Sequence, residues 1–519
     1  MFLTIIFMLV SLIFFPGAPQ AASPEVMQSL TLKLDRWEVE DAWQEMKGVL
    51  AQEPKDVKLL ELASQIAFHR GDYAEALKLI QSALQLEAKD EKIKGLASFM
   101  EGAVGVITPL KKYESSHFVI SLDEKQDGVL VYYIADALGK TYQIMAQRYG
   151  FQPREKIRVE VFPDTRAFYL ASTLSARDIE VAGAVGVTQF NKLMVLSPRA
   201  LVYGYRWLDA LSHEYLHYLI MKLTRNKAPI WFHEGLAKYE ETQWRNGPSY
   251  LSPLYQNLLA KAQSERKLIK FEKMEPSLVK LETPEEVQLA YAQAASAIEF
   301  IVDKGGPERL KEIMKHMASS ESQGAAESLR EILGWSFFEF EENWKKFLAS
   351  KKLQEAESAR LRPLKVKEGR INEESLDMEE VKSLVARNRA HLGDLLKERG
   401  RMRAAMLEYR RALIETRDSI PILNRLAAVL INLNREEEAL ELLLRAKGLA
   451  PDHPTIYHNV GKAYLNLKDF KAAEEAFQNV IQINPFNPET HQGLAVAYEM
   501  LGDTGAVFKE KEIAQKLSR

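Results

Sequence analysis

Small residues recur every 34 positions towards the C-terminus, at Gly393, Ala427, Gly461 and Ala495. A second series keeps the same step at Ala405, Ala439 and Ala473. A third pairs Ala412 with Ala446, and Pro451 and Pro485 close two of the units. A period of this length is one supersecondary unit repeated, each copy unable to bury its apolar face alone and so stacked on its neighbours. Small residues lie where the two helices of a unit meet, large ones fill the grooves, and proline ends the unit. Four helix pairs are predicted, at about 386–419, 420–453, 454–487 and 488–519. A generic helical bundle has no reason to repeat in phase.

A related pattern stands near the other end. Gly71-Asp72-Tyr73-Ala74-Glu75-Ala76-Leu77 resembles the turn and second helix of a tetratricopeptide repeat, with Ala83 recurring seven residues after Ala76. Ala42 lies 34 residues before Ala76, and Pro54 stands where such a repeat ends. Two repeats are expected within 23–100, at about 23–56 and 57–90, the first of them degenerate. The resemblance covers both flanks and implies α-solenoid arrays whose concave faces take peptides or partner proteins.

A chain of 519 residues exceeds one core, and roughly three domains are expected. The net charge of −3 and the absence of a basic domain argue against nucleic acid as a partner. With no cysteine, a disulfide framework, a thiolate metal site, a cysteine nucleophile and an acylated lipoprotein are all excluded. Phe2 to Phe15 is almost wholly apolar and is followed by Pro16-Gly17 and the small Ala18, Ala21 and Ala22. The run falls short of the roughly 20 residues a transmembrane helix needs. It reads as a secretory signal over 1–22, although no Lys or Arg precedes it. A periplasmic or secreted protein is expected, the alternative being an uncleaved N-terminal anchor facing outside. No later segment is long and apolar enough to span a bilayer.

The middle, about 105–355, is built differently. Residues 116–122 and 156–162 read as strands from their alternation and β-branched content, with an amphipathic stretch at 128–148 between them, and 192–196 reads as a third strand. From Trp207 onwards the pattern is mainly helical. A small sheet therefore precedes a helical half. Residues 356–385, dense in Lys, Glu and Arg, read as a charged linker or connecting helix.

The chemistry opens that helical half. His213-Glu214-Tyr215-Leu216-His217 is H-E-x-x-H, and on a helix His213 and His217 project from one face, one turn apart. Two imidazoles so placed can take two corners of a tetrahedral zinc site, with Glu214 beside the open corner. Trp207, Leu208, Leu211, Leu216, Leu219 and Ile220 surround the motif, so the helix is expected to be buried. Two histidines and a carboxylate left unpaired there would be costly, and a metal satisfies them. Ile220 and Leu223 stand where a metzincin needs Gly and His, which rejects that family.

Pro229-Ile230-Trp231-Phe232-His233-Glu234-Gly235-Leu236-Ala237 instead resembles the second helix of the gluzincins, in whose aminopeptidase-N-like branch a Glu-Gly pair follows a tryptophan. The resemblance implies Glu234 as third zinc ligand and an α+β, thermolysin-like zincin domain between the two repeat arrays. His233, adjacent to that ligand, is expected to pack or to face substrate. Tyr291 lies where the branch carries an oxyanion-stabilising tyrosine, and is equally readable as a core tyrosine. Gly183-Ala184-Val185-Gly186-Val187 is similar to the branch's substrate-binding segment but places Gly186 where a glutamate grips a free amine, so aminopeptidase specificity does not carry over. Glu240 and Glu241 read as a solvated helix end.

The expectation is a zinc metallopeptidase with one Zn2+ per chain, held by His213, His217 and Glu234, with Glu214 as general base and Tyr291 assisting. Its substrates would be exported proteins or peptides, with the repeats binding substrate or partners. The alternative is a non-catalytic repeat scaffold with a retired peptidase domain.

Overall fold

The computed structural model describes residues 24–518 except 173, 175–177, 179–182, 248, 320, 321, 323, 354, 356–360, 362, 363 and 368–372. The signal expected over 1–22 lies outside the described residues. Among the described residues no helix is long and apolar enough to cross a membrane. The chain divides into two compact units, Met1–Glu101 and Gly102–Arg519.

The first unit carries the helices Pro24–Asp35, Val39–Gln52, Val57–Arg70 and Tyr73–Leu86, and most of a fifth, Glu91–Ile107. Asp56 caps the third through the Leu59 amide at 3.0 Å, satisfying a donor the helix start leaves free. Ala42, Ala76 and Ala83 are fully buried, and Tyr73 meets Phe68 edge-on at 5.2 Å near the turn. The small-residue spacing thus marks helix contacts.

The second unit begins with a five-stranded sheet in the order β1-β2-β3-β5-β4. β1 (Lys111–Glu114) pairs antiparallel with β2 (Phe118–Leu122), which runs parallel to β3 (Ile157–Phe162). Parallel neighbours need a crossover, and the helix Val131–Tyr149 supplies it. β5 (Lys192–Leu196) is parallel to β3 and buried at every residue, as a run covered on both faces should be. β4 (Gly186–Gln189) returns antiparallel to β5 and forms the edge.

The helical half follows with Trp207–Thr224, Ile230–Glu240, Pro253–Ser264 and the long Pro284–Ala318, which is broken at Gly306 ahead of Pro307. Ala325–Leu333 and Phe337–Ser350 complete it. The stretch read as a solvated linker is docked over its described part. Val202 N–H donates to the Lys365 carbonyl at 2.9 Å, Lys367 N–H donates to Ala200 at 2.8 Å, and the Tyr203 hydroxyl donates to Asp377.

Four helix pairs then stack: Leu384–Glu398 with Met402–Glu415, Ile420–Asn432 with Glu436–Leu449, Pro454–Asn466 with Phe470–Ile483, and Pro488–Leu501 with Thr504–Leu517. They belong to the same compact unit as the sheet and helices before them. The Trp207 indole N–H donates to the Ile481 carbonyl at 2.9 Å, and the Tyr205 amide donates to Ile483 at 3.1 Å. The Arg206 guanidinium reaches Asp452 at 2.8 Å and Asn479 and Gln482 at 3.2 Å. Further round, the Tyr133 hydroxyl donates to buried Glu510 at 3.0 Å, and that carboxylate lies 2.7 Å from His491 Nδ1. The helix bearing H-E-x-x-H therefore starts on the repeats.

Candidate metal centre

The motif helix, Trp207–Thr224, is buried on most of its circumference, with Leu211, Tyr215, Leu216, Leu219 and Ile220 fully enclosed. His213 and His217 point the other way, their rings 4.7 Å apart and nearly perpendicular. The Met221 carbonyl closes the helix onto Arg225, and the chain returns through Pro229 into Ile230–Glu240. This second helix crosses the long helix Pro284–Ala318 at very close range. A Cβ on Gly235 would lie 2.4 Å from the Ala294 carbonyl oxygen, so only glycine fits. Ala290, Ala292, Ala294, Ala295 and Ala297 are fully buried along the facing helix. The Glu-Gly pair thus has a mechanical reading: Gly235 sets the crossing, and the crossing brings Glu234 beneath the histidines.

Glu234 Oε2 lies 3.3 Å from His213 Nε2 and 3.5 Å from His217 Nε2. It is buried and lacks a properly directed hydrogen bond from either ring. Donor atoms about 2.0–2.1 Å from a tetrahedral metal stand about 3.3 Å from one another. Two imidazole nitrogens and an orphaned carboxylate oxygen at this spacing fit zinc. The set is also chemically apt, being all nitrogen and oxygen in a chain without cysteine. In the metal-free protein the same groups interact electrostatically. Burial works against the Glu234 carboxylate, but His217 and His213 outweigh it and hold it well below the usual carboxylate range. Burial also pulls the His213 imidazole down, and the Glu234 and Glu241 carboxylates beside it overcome that, placing it at about 9.

Glu241 is not a solvated helix end. Its Oε2 stands 3.1 Å from His213 Nδ1, and its Oε1 accepts from Lys238 Nζ at 2.9 Å. A proton on Nδ1 directed at Glu241 leaves Nε2 as the donor atom facing Glu234. Glu234, Lys238 and Glu241 stand at i, i+4 and i+7 and so share a helix face, a signal present in the spacing and not used. Glu240 projects elsewhere, to Arg148 and to the Tyr149 hydroxyl at 2.8 Å.

Glu214 is buried, which raises its carboxyl pKa against the lowering influence of His217 and His213. Its Oε2 accepts from the Thr188 hydroxyl at 2.7 Å, a contact that no spacing in the sequence announced. The Tyr291 ring lies 6.5 Å from the His213 ring, and burial with nearby Glu234 keeps its phenol protonated far above neutral pH. His233 is 5% exposed with Nε2 unpartnered, and burial followed by the charge of His217 lowers it to about 3. It is a neutral packing group 5.7 Å from the His217 ring.

Comparison with known families agrees with this architecture. The profile of the Peptidase MA superfamily matches residues 140–350. This chain carries a Peptidase MA superfamily domain. Tetratricopeptide-repeat profiles match 33–91, 420–453 and 454–487, on both sides of the Peptidase MA domain. No curated protein matches the chain. Among solved structures, the crystal structure of MamA is 19% identical over 28% of this chain and 86% of its own, with a TM-score of 0.25. TTC0263, a thermophilic tetratricopeptide-repeat protein of Thermus thermophilus, is 23% identical over 25% of this chain and 74% of its own, with a TM-score of 0.25. The Peptidase MA domain contains every residue of the candidate centre.

Proposed function

We propose that this protein is a zinc-dependent peptidase that cuts exported proteins or peptides, with its repeats recruiting substrate or partner proteins. The observation that carries the reading is the convergence of two histidine Nε2 atoms on the orphaned Glu234 Oε2, at 3.3 and 3.5 Å. His213, His217 and Glu234 would hold one Zn2+ per chain. In such a site zinc supplies Lewis acidity, polarising a carbonyl and making water acidic enough to act near neutral pH.

Glu214 has the place and chemistry of the general base. It follows the first ligand directly, faces the same region, and has a carboxyl pKa raised by burial, closer to working pH than an exposed carboxylate. It takes the proton of the attacking water on a carboxylate oxygen and delivers it to the departing amine. The Tyr291 phenol, protonated throughout, can donate to the oxyanion that develops on the carbonyl oxygen. Glu241 keeps the His213 tautomer correct, and Lys238 balances its charge. The apolar run Phe2–Phe15 supports export to the periplasm or outside.

Purified protein, assayed for bound metal and for cleavage of casein and of a peptide library, tests this. Glu214→Gln is expected to keep stoichiometric zinc and lose at least about 100-fold in hydrolysis, the range a positioned acid–base group supplies. Full activity in Glu214→Gln would remove the assignment, and freshly purified protein without metal would favour the scaffold reading.

A further inference from the structure

We propose that strand β4 is built around Glu214: Gly186 and Thr188, on one face of the strand, form a cradle that fixes its carboxylate, with Thr188 as the positioning residue. The inference rests on the peptidase reading above. Residues two apart on a strand point to the same side, here towards the motif helix. At the first of these positions, a Cβ on Gly186 would lie 2.6 Å from Glu214 Oε1 and 2.8 Å from Glu214 Cγ. Any side chain there would occupy the space the carboxylate fills. Gly186 is therefore clearance for Glu214. At the second, the Thr188 hydroxyl lies 2.7 Å from Glu214 Oε2 and also 2.7 Å from the Glu214 backbone carbonyl. The two Glu214 oxygens share the single hydroxyl proton, which holds the carboxylate beside its own main chain and restricts its rotation.

The cradle meets a physical need. A glutamate has several rotors, and freezing them carries an entropic cost. A carboxylate that is buried as well loses its water and needs a donor in its place. Thr188 is a stiff choice of donor, since its β-branch limits χ1 and suits a strand. Among the described residues β4 is the sheet edge, so the cradle sits on the strand with one side unpaired within the sheet. The pattern Gly-x-Thr is thereby read as a holder for the general base.

The test uses the full chain loaded with zinc and fluorescein-labelled casein as probe. Thr188→Val keeps the shape and removes the hydroxyl, and Thr188→Ser keeps the hydroxyl. We expect Thr188→Val to lower kcat roughly 10- to 100-fold with KM within about twofold and one zinc retained. Thr188→Ser should return kcat to within about threefold of wild type. Gly186→Ala should lower kcat at least as far, because its methyl displaces the carboxylate. Should Thr188→Val fail to fold, Thr188→Ala carries the same comparison. Wild-type kcat in Thr188→Val, equal losses in the Val and Ser variants, or zinc lost from a folded Thr188→Val would each overturn the cradle while leaving the peptidase reading intact. A zinc-loaded wild type that cleaves nothing overturns that reading, and the cradle with it.

Discussion

Gly461 and Gly235 each allow two helices to close up, one within the C-terminal repeats and one in the Peptidase MA domain. A Cβ on Gly461 would come 2.6 Å from the Phe477 ring, sixteen residues on and in the same helix pair. A Cβ on Gly235 would come 2.4 Å from the Ala294 carbonyl oxygen, 59 residues away on another helix. A ring on a flexible stem can tilt, whereas a carbonyl inside a helix cannot move without the helix. In neighbouring units Ala427 and Ala495 occupy the position of Gly461, but there Leu443 and Lys511 stand where Phe477 does, so each unit fits its small residue to its own partner. Packing in the repeats is local and redundant. In the Peptidase MA domain one contact sets one crossing, and the crossing positions a metal ligand.

The widest separation between the two regions should come from making the same substitution in both. Gly461→Ala is expected to cost about 1–2 kcal/mol, the gain in helix propensity offsetting only part of the strain on the buried Phe477 ring, which Gly493 also abuts. Gly235→Ala should cost about 3 kcal/mol, at the upper end for forced overpacking, and should also lose zinc because Glu234 moves with its helix. Urea unfolding together with metal analysis reads both. Equal costs, or zinc retained in Gly235→Ala, would break the comparison.

That contrast also explains what the sequence discloses. Periodicity survives in sequence because each repeat solves the same packing problem, so Gly393, Ala427, Gly461 and Ala495 point to the helix pairs directly. H-E-x-x-H is legible because two ligands one turn apart need only a helix. The sheet was legible through alternation and β-branched content at β2 and β3 and through the short apolar run at β5. The edge strand β4, short and glycine-led, was legible only through the likeness of Gly183–Val187 to a substrate-binding segment. Contacts between elements left no trace in spacing: Thr188 with Glu214, Gly235 with Ala294, and Trp207 with Ile481 depend on how whole helices dock. Gly186 shows the risk in reading one position alone. Weighed as a missing glutamate, it is space reserved for Glu214. The linker failed for a related reason, since charge density says nothing of the backbone pairing that holds Lys365 and Lys367.

A smaller effect tests whether long-range contacts tune the site as well as build it. Glu241→Gln keeps an acceptor for the His213 Nδ1 proton and removes the charge that Lys238 balances. Zinc affinity, measured by competition with a chelator, is expected to fall about 10- to 100-fold, as for other partners of metal-bound histidines. In the repeats, Asp394 accepts from Arg425 at 3.2 Å in a contact between neighbouring units. Asp394→Asn should cost about 1 kcal/mol or less and leave zinc affinity unchanged. An Asp394→Asn effect on zinc as large as that of Glu241→Gln would mean that the repeats tune the centre too.

Two histidines set the regions apart by pH, with opposite signs. Burial lowers His213 in the metal-free protein, but the Glu234 and Glu241 carboxylates outweigh it and push the imidazole up to about 9 from its ordinary 6.5. Its contribution to stability is complete below about 6.5 and is lost as pH rises through 9. His458 in the repeats is depressed to about 4, by burial first and the Lys462 charge second. It costs nothing above about 6.5 and destabilises progressively as pH falls from there towards 4, because the unfolded chain binds the proton first. Zinc must displace the His213 proton, so affinity should rise about tenfold per pH unit from 7 to 9 and then level off. Calorimetric titration of metal-free protein at pH 7, in buffers of different ionisation enthalpy, should show about one proton released per zinc bound. In His458→Gln the proton count should stay the same while the acid limb of the stability curve moves down in pH. A proton count near zero would show that His213 is already deprotonated in the metal-free site, and that its carboxylate partners do not hold it as their positions imply.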